Sequence, residues 1–145
     1  MARVLGIDFG TKRIGVARSD PMGIIASPLL ILESVGLTAD VAAVARLGAA
    51  EEVEAYVIGV PIRLDGILGK IADRGEQFAQ KLEAAVQVPV HRWDERWTTI
   101  IAERALRESN LSRQARKERR DAVAAAVILQ SWLDHQPREH AESDE

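Results

Sequence analysis

The sequence predicts one α/β domain built on a five-stranded mixed sheet, and three observations point there. Three short apolar runs near the N-terminus are joined by connections too short for crossovers, which makes them an antiparallel meander. Two later apolar runs are each preceded by a stretch of helical period, the pattern of parallel strands reached by crossover helices. The length, 145 residues, suits a single domain on the rule of about 100–200 residues each.

Residues 3–9 are an apolar run closed by Gly10, and residues 14–19 return as a second strand after the turn Gly10-Thr11-Lys12-Arg13. A break at Pro21 and Gly23 separates off a third strand at 26–32. Residues 37–50 place Val41, Val44, Ala45 and Leu47 at helical spacing. The fourth strand is 55–60, ended by Pro61. Residues 63–70 contain Gly66 and Gly69 and no clear period, so they read as a mobile loop. A helix at 71–86 leads into the fifth strand, 88–93, and helices at 98–108 and 112–133 complete the fold. The order is β-β-β-α-β-α-β-α-α, a single domain over 1–134. An acidic tail at 135–145 is expected to be disordered.

Composition narrows the function. Apolar residues are 47% and charged residues 28%, which excludes collagen, coiled coil and wholesale disorder. With no cysteine there is no disulfide framework, no thiolate zinc site and no cysteine nucleophile. Any metal must be held by oxygen or by the three histidines. Neither a signal-peptide core nor the roughly 18 apolar residues of a spanning helix is present. The expectation is a soluble, cytoplasmic protein with no membrane partner. The net charge of −3 is uneven. Asp134, Glu139, Glu142, Asp144 and Glu145 gather at the C-terminus, whereas residues 109–120 hold Arg113, Arg116, Lys117, Arg119 and Arg120 against Glu118.

Three acidic positions carry the chemistry. Asp8 sits at the carboxyl end of an otherwise apolar strand, the edge where ligands collect in α/β sheets. Gly10 lets a phosphate approach the backbone, and Lys12 and Arg13 can face a polyanion. A lone Asp there can equally serve the turn amides. Asp94-Glu95-Arg96 follows the fifth strand and precedes Thr98 and Thr99, where acids also suit a helix N-terminus. Asp121 shares a helical face with Ala124, Ala125 and Ile128, where a carboxylate is costly unless paired or coordinated. A salt bridge to Arg13 or Arg96 is one way to pair it. Three acids from two strand ends and a closing helix can converge on a hard cation, Mg²⁺ or Mn²⁺. Two such ions about 3.5–4 Å apart support phosphodiester hydrolysis.

The blocks Gly6-Ile7-Asp8-Phe9-Gly10-Thr11-Lys12-Arg13-Ile14-Gly15-Val16-Ala17, Gly59-Val60-Pro61 with Asp65-Gly66, Asp94-Glu95-Arg96-Trp97-Thr98-Thr99 and Asp121-Ala122-Val123-Ala124-Ala125 closely resemble the YqgF (RuvX) family. The resemblance spans residues 3–134. It implies a ribonuclease H-like fold related to Holliday-junction resolvases, and a metal-dependent nuclease for the 5′ end of pre-16S rRNA. By that resemblance Asp8, Glu95 and Asp121 are the metal-binding catalytic acids, supported by Asp94, Arg96 and Thr98, and Gly10, Thr11, Lys12 and Arg13 form a phosphate-facing turn. The related resolvases place their second acid on the fourth strand, where this chain has Gly59-Val60-Pro61; here the candidate is Glu95.

The basic run at Arg113, Arg116, Lys117, Arg119 and Arg120 immediately precedes Asp121. It can position a nucleic acid through its phosphates without reading sequence, or be a solvated helix face. Trp132 reads as core beside Ile128, and His91 as structural. Trp97 either packs inside or stacks on a base. Two other readings stand beside the rRNA nuclease. A junction resolvase on four-way DNA requires a homodimer, so that two sites nick opposing strands. A non-catalytic RNA-binding factor acting in transcription keeps the basic patch and does not need the acids. An actin-type ATPase also opens on Asp-x-Gly-Thr, but this chain lacks the second domain and second phosphate loop.

Overall fold

Strands β1 (Arg3–Asp8), β2 (Arg13–Ser19) and β3 (Ala26–Glu33) form the antiparallel meander, and β4 (Val53–Val60) and β5 (Val90–Asp94) continue the sheet from β1 as parallel strands. The strand order is β3-β2-β1-β4-β5. Helix α1 (Leu37–Ala50) links β3 to β4, α2 (Gly66–Ala85) links β4 to β5, and α3 (Arg113–Asp134) follows β5. The structure, a computed structural model, describes the backbone at 3–60, 66–94 and 113–137, and side chains at 3–60, 73–94 and 122–137. The helix expected at 98–108 and most of the expected tail lie outside those residues.

The five strands and two of the four expected helices, 37–50 and 112–133, match the sequence expectation to within about two residues at their ends. Helix α2 departs from it. It begins at Gly66, so residues 66–70, read as loop, are helical. Two glycines at about 1 kcal/mol each argue against a helix locally. In the sequence Ile67, Ile71, Phe78 and Leu82 nevertheless fall at one helical spacing, and of the described side chains Phe78 and Leu82 are fully buried.

The pleat divides the core into two faces. Leu5, Ile7, Ile14, Val16, Tyr56 and Ile58 pack with Val41 and Val44 of α1 and Phe78 and Leu82 of α2. Val4, Ala17, Ala55 and Val57 point the other way, onto Ala125, Ala126, Ile128 and Leu129 of α3. Helices therefore cover both sides of one sheet. Gly6 lets α3 lie close against β1: a Cβ there would stand 2.7 Å from Leu129 Cβ and 3.1 Å from the Ala125 carbonyl oxygen. The alanines of α3 supply the matching flat surface.

Polar side chains fix what the apolar faces leave free to slide. Gln130 of α3 takes the place of a strand neighbour, its Oε1 accepting from the Ala26 N–H (2.9 Å) and its Nε2 donating to the Ile24 carbonyl (2.9 Å). Strand β5 is gripped from both sides. On one, Arg92 donates to Glu76 (2.8 Å) and Glu83 (3.0 Å) of α2. On the other, Trp93 Nε1–H donates to Ser131 Oγ (3.0 Å), His91 lies 5.0 Å from the Trp132 ring and His135 lies 5.1 Å from the Trp93 ring. His91 and Trp132 thus have the structural roles expected of them.

This arrangement gives a pH-dependent prediction. Hydrogen bonds from Arg92 hold Glu76 and Glu83 below the usual carboxylate range. Carboxylates with depressed native pKa values contribute their full stability above the unfolded value and lose it as the pH falls through the folded one. An Arg92→Leu variant is expected to melt below wild type at pH 7, with the gap closing under pH 4. Thermal melts between pH 7 and pH 3 check this; a gap independent of pH would show that the ion pairs contribute nothing.

Candidate active site

Asp8 ends β1 half-buried, and its neighbours on either side in the sheet are Gly15 of β2 and Gly59 of β4. Neither contributes a side chain beside the carboxylate. By strand alternation Asp8 shares the face of Val4 and Gly6, the face covered by α3. The chain then turns sharply. A Cβ at Gly10 would stand 2.5 Å from the Arg13 carbonyl oxygen, so only glycine fits this turn without a shift. Asp8, Gly10, Thr11, Lys12 and Arg13 line an open pocket of about 280 Å³. Thr11, Lys12 and Arg13 are exposed, and neither cation forms an ion pair among the described residues.

Asp94 ends β5 opposite Val60, one step beyond the level of Asp8 and Gly59. Alternation puts it with Val90 and Arg92 on the α2 side, opposite to Asp8 and about 10 Å away across two strand spacings. The two carboxylates do not share a face.

Asp121 lies in α3, four residues before Ala125, whose carbonyl abuts Gly6. The backbone therefore carries Asp121 to the turn of α3 adjoining the one seated on β1. Arg113, Arg116, Lys117, Arg119 and Arg120 occupy the turns just ahead of it. Glu95, Arg96, Trp97 and Thr98 fall outside the described residues. Among the described residues no three His, Cys, Asp or Glu side chains group to hold a metal; Glu95 and the Asp121 side chain are not among them.

Several contributors escaped the sequence reading. Gly15 and Gly59 flank Asp8 only through pairing register, which one sequence does not encode legibly. Gln130 and Arg92 look like ordinary helix and strand polar residues until their partners are known.

A family model described as "RuvX: Holliday junction resolvase" matches residues 2–135. Relatives named "Putative pre-16S rRNA nuclease" occur in Moorella thermoacetica, 46% identical, and Syntrophomonas wolfei, 44% identical, each covering 91% of this chain and 94% of the relative. Another, in Myxococcus xanthus, is 43% identical over 93% of this chain and 90% of its own. In fold, the chain is similar to Thermus thermophilus RuvC in complex with a Holliday junction substrate, with a TM-score of 0.59 at 15% identity over 90% of this chain and 93% of that one. It is also similar to the fowlpox virus resolvase in complex with junction DNA, with a TM-score of 0.57 at 11% identity over 91% and 97%. These two likenesses establish the ribonuclease H-like fold.

Proposed function

Because the chain belongs to the RuvX family, a nuclease family acting on phosphodiesters, we propose that it is a divalent-metal-dependent endonuclease that processes the 5′ end of pre-16S rRNA. The observation that carries the reading is Asp8, a carboxylate at the carboxyl end of the central strand, flanked by Gly15 and Gly59 and adjoining a turn that presents the exposed cations Lys12 and Arg13. The donor set suits a hard cation: Asp8, Glu95 and Asp121 offer only carboxylate oxygens, the ligands that Mg²⁺ and Mn²⁺ prefer over imidazole or thiol.

When bound, such a cation lowers the pKa of a water and neutralises charge on the leaving oxygen. The remaining work falls to the chain. Lys12 and Arg13 attract the phosphodiester to the Asp8 pocket, and Gly10 removes the Cβ that would keep it from the turn backbone. Arg113, Arg116, Lys117, Arg119 and Arg120 hold the flanking strand through its phosphates, which positions without selecting sequence. Asp94, Arg96 and Thr98 support the site. Of the pair Asp94 and Glu95, the family resemblance makes Glu95 the ligand and Asp94 its support. No described helix is long and apolar enough to cross a membrane, and the reading places the enzyme in the cytoplasm with its precursor substrate.

The test is a cleavage assay offering a 5′-extended 16S precursor, a four-way DNA junction and plain single strands, with Mg²⁺ or Mn²⁺ and with a chelator. The expected result is cutting of the precursor that stops when the metal is removed. Cutting of the junction alone would replace rRNA with branched DNA as substrate. Binding without cutting under either metal would leave a non-catalytic RNA-binding factor.

A further inference from the structure

We propose that the groove between the Gly10–Arg13 turn and α2 is a second subsite for the nucleic-acid strand, in which Arg74 holds a backbone phosphate flanking the one at Asp8; this rests on the nuclease reading. The groove has a volume of about 260 Å³ and is lined by Phe9, Thr11, Ser34, Asp40, Arg74 and Gln77, among others. Thr11 also lines the Asp8 pocket, so the two cavities meet at one residue. A strand whose reacting phosphate sits at the turn has this groove as a path for its next nucleotides.

The charges support a phosphate. Arg74 is exposed and forms no ion pair among the described residues, like Lys12 and Arg13 at the turn. Arg3, Arg18 and Arg92, by contrast, are each engaged by a glutamate. An arginine fork with neighbouring amide and hydroxyl groups suits a phosphodiester oxygen pair. Here the amide is Gln77 and the hydroxyl Thr11. The acid in the lining does not oppose this. Asp40 is only 4% exposed, its Oδ2 accepting from the Ser34 hydroxyl (2.5 Å) and its Oδ1 from the Val35 N–H (2.9 Å). Its charge is spent inside the wall.

The groove is also preorganised. The Ser34 N–H donates to the Lys12 carbonyl (2.9 Å), tying the end of β3 to the turn, while Asp40 ties the same segment to α1. Phe9 lies against Phe78 with ring centroids 5.1 Å apart, giving a firm apolar floor suited to a sugar or base edge. A site already in shape does not spend binding energy on ordering.

The test measures equilibrium binding of a fluorescein-labelled single-stranded RNA from the precursor 5′ region, and of DNA of the same sequence, by anisotropy in EDTA across a salt series. It compares wild type, Arg74→Ala and Lys81→Ala. Lys81 is exposed on the same helix, seven residues and about 10 Å further on, so its loss changes net charge equally outside the groove. Arg74→Ala is expected to weaken binding about three- to tenfold near 0.1 M salt and to lower the slope of log affinity against log salt by about one. Lys81→Ala should leave both unchanged. The RNA and DNA arms show whether the subsite distinguishes the sugar. An unaltered slope in Arg74→Ala, or an equal drop in Lys81→Ala, with wild type binding normally, would overturn the subsite alone. Failure of wild type to bind either strand would overturn the nuclease reading as well.

Discussion

Asp8→Asn is expected to lower the cleavage rate at least about 100-fold while nucleic-acid affinity is kept or rises. Loss of a group standing behind a metal ligand typically costs about 10–100-fold, so loss of a ligand itself should cost no less. Asparagine preserves shape and removes one charge, which isolates the electrostatic contribution from packing. The paired positions in the sheet, Gly15 and Gly59, have no side chain to substitute for it. Affinity should not fall, since a negative charge beside the phosphates is removed. Single-turnover cleavage together with anisotropy binding checks both halves. A variant that cuts at the wild-type rate would move the chemistry away from β1.

The second large effect is structural and reaches the site through α3. In Gly6→Val the first added carbon would already stand 2.7 Å from Leu129 Cβ and 3.1 Å from the Ala125 backbone. The Ala125 oxygen cannot rotate aside, so α3 must lift from the sheet or tilt. Overpacking of this kind costs about 1–3 kcal/mol and occasionally more; contact with backbone places Gly6→Val at the upper end. Asp121 lies one turn from the displaced segment, and a displacement of about 1 Å at reacting groups can cost about 100-fold in rate. Activity should therefore fall further than the loss of folded protein explains. Urea unfolding midpoints, with cleavage measured where the variant is still folded, separate the two losses. Full stability with full activity would show that α3 need not lie so close.

Much of this was legible in the sequence because the relevant signals are local. The short connections of the meander fixed β1 to β3, and the spacing of Val41, Val44, Ala45 and Leu47 fixed α1 with both ends correct. Asp8 stood out as an acid at the end of an apolar run, with Phe9 and then Gly-Thr-Lys-Arg after it. What depended on pairing between distant segments was not legible. The start of α2 hid behind Gly66 and Gly69, whose local preference opposed the apolar stripe running through them. The opposite facing of Asp8 and Asp94 follows from the register of β1, β4 and β5, and the sequence presented both simply as acids at strand ends. Arg74 gave no signal at all. Its place in a groove depends on Thr11 and Ser34, far away in the chain, arriving beside α2.

The most direct test of a single three-acid centre is a mutant cycle read by single-turnover cleavage across a Mn²⁺ titration. The proteins are wild type, Asp8→Asn, Asp94→Asn, Glu95→Gln, Asp121→Asn and the double variant Asp8→Asn/Asp121→Asn. Groups that act as one unit are strongly non-additive. The expected result is that the Asp8, Glu95 and Asp121 variants each lose nearly all activity. The double variant should be little worse than either single one, and Asp94→Asn should stay active with a modest loss. Multiplicative losses in the double variant, or an active Glu95→Gln beside an inactive Asp94→Asn, would contradict a centre made of Asp8, Glu95 and Asp121.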